Sequence, residues 1–248
     1  MPPKIKLLWI VCVVVVFLGF VYFSFTGKVD EARQKAEAIN KQQSRLKEKL
    51  NTKQSENKKR AFKTDPIKEI KELNALGKYE EAVKYAEGAA TLNPDQPRIY
   101  TWWGISLVKS GKRKEGIEKF IKSSNLDASY SKTFLYWGLT LAMDGQPEEA
   151  IKKYQKVIEL DSENSNAYAY WGAALEQLNK HKKAVEKLKR AFEIYPKNTN
   201  VPIVLIKALF NLKKYSEAWE AVKKARELNV VIPKILLKQL IEVFPDPL

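Results

Sequence analysis

Apolar and polar positions change their spacing three times along this chain. From Ile5 to Phe25, 21 residues carry a single charge, Lys6 at the outer end, and no helical face is polar. As a helix this run would be ~31 Å long, about the thickness of a bilayer's hydrocarbon core. Lys4, Lys6 and Trp9 stand where one membrane interface would fall and Tyr22 near the other. A cleaved leader is the rival reading. Its apolar stretch is usually shorter, and Ser24-Phe25-Thr26 is a poor cleavage site. Residues 1–27 are therefore expected to be a transmembrane anchor.

A weaker period follows. Val29, Ala32, Ala36, Ile39, Gln43, Leu46 and Leu50 alternate spacings of three and four, a thin seam over about three heptads. Asn51 to Arg60 then has no apolar residue. Residues 28–62 read as a polar spacer, either a weak coiled coil that would make a homo-oligomer or a single tether.

Beyond residue 63 the period is 34. Trp103-Gly104, Trp137-Gly138 and Trp171-Gly172 recur at that interval. Four residues before each glycine stand Tyr100, Phe134 and Tyr168; three after, Leu107, Leu141 and Leu175. Seven after are Gly111, Gly145 and Asn179, residues that tolerate the left-handed conformation ending a helix. Twelve after are Gly116, Ala150 and Ala184; sixteen after, Phe120, Tyr154 and Leu188. The frame gives units 63–96, 97–130, 131–164, 165–198 and 199–232, each two short amphipathic helices around a turn. Asp144-Gly145-Gln146-Pro147 would stop one helix, and Pro147 would start the next with Glu148 and Glu149 at its positive end. Gly138 and Ala150 are expected to let the paired helices approach, with Trp137 beside the crossing. No unit can bury its apolar face alone.

These columns resemble the tetratricopeptide repeat over residues 63–232, most strongly in units two to four. The chain departs from the family by placing Trp where Leu is usual, with Tyr or Phe in the usual Trp place. The closing proline stands only at Pro94 and Pro196, and unit five has Leu205-Ile206 for Trp-Gly. The resemblance implies an all-α, right-handed α-solenoid of five helix pairs, with residues 233–248 forming a capping helix and tail.

It also implies a concave groove lined by the first helices. The groove residues would be Trp102, Ile105 and Lys109; Tyr136, Leu139 and Met143; and Tyr170, Ala173 and Gln177. Core packing is the other reading of these rings. Arg98 and Lys132 are the basic candidates. The Asn partners of a C-terminal carboxylate clamp are missing, since Ile105, Tyr136 and Ala173 stand where polar groups would be expected. An apolar or mixed peptide is the better fit.

Charge changes this picture modestly. The chain carries 44 Lys+Arg against 29 Asp+Glu, net +15, densest in residues 28–62 at 11 against 5. A lysine-rich solvated surface accounts for most of it; headgroups or nucleic acid are the polyanions it could meet. An RNA-reading array would need a polar code on the groove, against which Ile105, Leu139 and Ala173 stand. One cysteine and one histidine exclude an intrachain disulfide and most metal or nucleophile–histidine sites. His181 is expected in a turn. Glu148 and Glu149 are helix-start charges. Neither cofactor nor catalytic constellation is expected. The reading is a membrane-anchored, non-catalytic scaffold for protein or peptide partners, with nucleic-acid binding as the alternative. Five basic residues in 26–45 against Lys4 and Lys6 lean toward a cytoplasmic body, a periplasmic one being the rival.

Overall fold

Proline and the 34-residue frame set the helix starts. In the computed structural model, which describes residues 37–49 and 65–245, the repeat region holds eleven helices. They are α1 (Pro66–Ala75), α2 (Tyr79–Leu92), α3 (Pro97–Lys109), α4 (Arg113–Leu126), α5 (Ser131–Met143), α6 (Pro147–Leu160), α7 (Ser165–Gln177), α8 (His181–Ile194), α9 (Pro202–Asn211), α10 (Tyr215–Glu227) and α11 (Lys234–Val243). Among the described residues there is no strand. The chain is an all-α helical-repeat solenoid.

Pro66, Pro97, Pro147 and Pro202 each open a helix, where a missing N–H costs nothing and the fixed φ suits the first turn. The Asp65 and Asn164 side chains accept from Ile67 N and Ala167 N at 3.0 Å, capping α1 and α7. Pro202 also shortens α9 to 10 residues, against 13 for α3, α5 and α7.

The turn inside each pair takes one left-handed residue at the same place: Gly77, Gly111, Gly145, Asn179 and Lys213, with φ between 57° and 89°. Gly145 N–H bonds to Ala142 O at 3.2 Å, and Gln146 N–H to Leu141 O at 2.9 Å, the closing pattern of such a helix end. Asn179 and Lys213 meet the same demand with a β-carbon, and since Asn tolerates this region better than Lys the fifth turn is the more strained.

Where paired helices cross, the glycine faces the large side chain sixteen residues on. A β-carbon at Gly138 would lie 2.6 Å from Tyr154 Cε1. At Gly104 it would meet Phe120 Cε1 at 2.6 Å and Gly116 O at 2.9 Å; at Gly172, Leu188 Cγ at 2.6 Å and Ala184 O at 3.2 Å. The small residues twelve on also come close, Gly116 O and Ala184 O lying within 2.9 and 3.2 Å of such a β-carbon. Ala150 and Ala184 are wholly buried, but the large side chain sixteen residues on fills the space under the glycine.

Buried polar links tie units together. Asn74 Nδ2 donates to Ser106 Oγ at 2.8 Å, and the hydroxyls of Thr101 and Thr133 are 2.7 Å apart, with Ser123 joined to both. Glu176, nearly buried on α7, accepts from Asn211 Nδ2 on α9 at 2.7 Å and lies 2.7 Å from His181 Nδ1. His181, expected in a turn, is the first residue of α8. At the C-terminal end, α11 buries Leu240 completely, and Trp219 Nε1 donates to Phe244 O at 3.0 Å.

Residues 37–49 are helical and exposed throughout, including Ile39 and Leu46 of the expected seam. Residues 1–27, the expected anchor, and most of the spacer lie outside the described residues. Among the described ones no helix is long and apolar enough to cross a membrane.

Candidate partner-binding face

The first helices of successive pairs touch one another along the array: α1 with α3, α3 with α5, α5 with α7, and α7 with α9. The second helices have no comparable neighbour contacts. A row of helices held closer on one side curves toward that side, so the first helices line the inner face.

Trp102, Tyr136 and Tyr170 occupy one place on α3, α5 and α7 and are each half-buried. The Trp102 and Tyr136 rings lie 6.4 Å apart, tilted by 47°. Burial raises the phenol pKa of both Tyr136 and Tyr170, and the nearby Tyr136 raises that of Tyr170 further. Both phenols therefore stay neutral donors at neutral pH. Tyr170 also leans on the wholly buried Tyr154, 6.1 Å between rings, so its inner edge belongs to the core.

The basic groups gather at the Trp102 end. The ammonium groups of Lys71, on α1, and Lys132, on α5, each lie 5.1 Å from the Trp102 ring. Burial lowers the Lys132 pKa, and the neighbouring Lys71 charge lowers it further. The Arg98 guanidinium sits 5.4 Å from the Tyr130 ring. Among the described residues no carboxylate pairs with Lys132, so this end of the face is cationic and aromatic together.

The other expected groove residues divide. Lys109, Met143 and Gln177 are exposed, Met143 at 53%, and Lys109 lies 5.4 Å from the Tyr79 ring. Leu139 and Ala173 are half-buried. Ile105 is corrected: at 3% exposure it is core and cannot reach a partner. Lys71 and Tyr130 were missed. Lys71 stands 34 residues before Ile105, so carrying the groove column back one unit would have found it.

On the opposite side, Trp103, Trp137 and Trp171 each lie under a lysine of the paired second helix. Lys119, Lys153 and Lys187 are 4.1, 3.5 and 4.6 Å from the three rings. Each lysine follows its tryptophan by 16 residues, a column legible in the sequence. The cation covers the ring face that the core leaves open. This accounts for Trp where Leu is usual.

Paired antiparallel helices at a 34-residue period, three of the pairs crossing at a glycine, make a helical-repeat solenoid of the tetratricopeptide-repeat type. A tetratricopeptide-repeat family model matches residues 71–96, and the model for anaphase-promoting complex, cyclosome, subunit 3 matches residues 143–225. No curated protein matches the chain in sequence. Among solved structures, PilF of Pseudomonas aeruginosa is similar with a TM-score of 0.67 at 17% identity, covering 77% of this chain and 86% of that one. MamA of Desulfovibrio magneticus RS-1 is similar with a TM-score of 0.58 at 20% identity, over 67% of this chain and 96% of that one. MamA of MSR-1 reaches 26% identity with a TM-score of 0.54, over 66% and 92%.

Proposed function

We propose that this chain is a membrane-tethered, non-catalytic scaffold whose inner face holds an extended protein segment bearing acidic and apolar side chains. The observation carrying this is Trp102 between Lys71 and Lys132, with Tyr136 beside it. Rings that are half-buried but reachable, next to the Lys71 and Lys132 cations, suit an anchor side chain flanked by Asp or Glu. The Ile5–Phe25 run supplies the tether, and the basic spacer favours a cytoplasmic body.

Random peptides selected on the full-length chain in detergent should be enriched in Asp or Glu beside Phe, Leu or Trp. Tyr136→Ala should weaken a selected peptide by ~1–2 kcal/mol, and Lys132→Ala by about tenfold, with melting little changed. Two or three ion pairs give a moderate salt response, whereas RNA gives a steep fall in log affinity with log salt. If RNA binds with that steep slope and Tyr136→Ala leaves peptide capture intact, the nucleic-acid reading replaces this one.

The tether has its own measurement. The full-length chain should remain with membranes through high-salt and carbonate washes. Release by salt alone would leave only the basic spacer as the attachment.

A further inference from the structure

The column of lysine-covered tryptophans stops one unit early. Thirty-four residues past Trp171 stands Leu205, and 34 past Lys187 stands Ala221. The fifth unit therefore lacks both the ring and the cation that cover it. At that place the structure has an open cleft of about 340 Å³ between α8 and α10, across α9. Leu205, Leu209 and Ala221 form its floor, and Phe192 and Pro196 form a wall. That volume is at the small end of ligand pockets, suited to one side chain rather than a folded element.

The rim is charged unevenly. Lys189 pairs with Glu217 at 2.9 Å and Lys224 with Glu227 at 3.1 Å. Glu220, also on the rim, pairs with no cation among the described residues. An apolar floor under a rim carboxylate complements a planar ring with an N–H on its edge. In three preceding units the ring at this place is an indole of the chain itself.

We propose that the cleft beside Leu205 and Ala221 is a docking point for a tryptophan side chain of a partner protein, its indole N–H directed to Glu220. The site lies on the outer face, away from Trp102 and Tyr136, and stands or falls separately from the inner-face reading.

The probes are N-acetyl-tryptophanamide, its 1-methylindole analogue, which lacks the N–H, and an acetylated, amidated Gly-Gly-Trp-Gly-Gly peptide. Binding to the full-length chain in detergent is followed by nuclear magnetic resonance. The amide and the peptide should both bind saturably with a Kd of about 1 mM, typical for one small ring. The 1-methyl analogue should bind at least threefold more weakly, and Glu220→Ala should erase that difference. Restoring the column with Leu205→Trp and Ala221→Lys together should cut binding at least tenfold and melt at or above the parent. Tyr136→Ala should leave binding unchanged. Absence of saturable binding by 10 mM (roughly tenfold above the expected Kd) overturns the site. So does equal binding by the restored double variant, or its melting below the parent. Binding of the amide without the peptide would make the cleft a small-molecule pocket and overturn the partner-protein assignment.

Discussion

Gly138→Leu is expected to lower the stability of the whole repeat array by about 3 kcal/mol, the upper part of the range for overpacking. Even the first added carbon would sit 2.6 Å from Tyr154 Cε1 and 3.0 Å from Cδ1, well inside contact distance. The Tyr154 ring is wholly buried and holds against Tyr170, so it has no free direction in which to retreat. Leucine's better helix propensity returns only ~1 kcal/mol, so the steric term wins. Because unit three stands mid-array and each unit is stabilised by its neighbours, the loss should pass both ways. At ~2–4 °C per kcal/mol for a body of this size, melting should fall by about 6–12 °C. Gly138→Ala should lose less, since one carbon clashes where leucine brings four. Melting of Gly138→Leu within 2 °C of the parent would mean that the two helices do not cross at this glycine.

The helix pairs were legible because the period is carried by residues with few substitutes. The crossing in the middle pairs takes a residue without a side chain, and the turn takes one that tolerates positive φ, so Gly104, Gly138, Gly111 and Gly145 mark the frame. Where the chain meets the demand otherwise, the signal fades: Lys213 takes φ 58° with nothing in its identity to announce it. Contacts between columns were harder to read. Tyr154 and Ala150 belong to two columns of the same helix, and sequence spacing cannot say which presses on Gly138. The inner face was half legible. A period of 34 puts Trp102, Tyr136 and Tyr170 in line, but which side of α3 Ile105 faces depends on the crossing angle with the first pair. The Lys71–Trp102–Lys132 stack joins three units and has no local sequence signature. The lysine column over Trp103, Trp137 and Trp171 was fully periodic, and its end at Ala221 is what exposes the outer cleft.

Trp219 had no column to reveal it. It stands next to Ala218, in a unit that has lost its Trp-Gly pair, yet at 1% exposure it is the largest wholly buried side chain of the fifth pair. It shares one buried cluster with Leu209, Val222 and Leu240, and its N–H holds the backbone at Phe244, the end of the closing helix α11. Trp219→Ala is therefore expected to cost ~3–5 kcal/mol, the usual range for emptying a large aromatic site in a core. The lost hydrogen bond adds to the packing loss, because Phe244 O is then freed from its partner. The damage should differ in kind from that of Gly138→Leu. In an array whose units contact only their neighbours, an end unit can open alone, so the last pair should fray before the rest melts. Hydrogen exchange should show protection falling by two or more orders of magnitude in α9, α10 and α11, as ~3 kcal/mol implies at 1.4 kcal/mol per decade, with α3 to α6 nearly unchanged. Trp219→Phe, which keeps the ring but not the N–H, should recover most of the packing and leave α11 less protected than α10. A loss below ~1 kcal/mol in Trp219→Ala, or one spread evenly from α1 to α11, would show that this end is not closed by Trp219 and that the cap is held in place by other contacts.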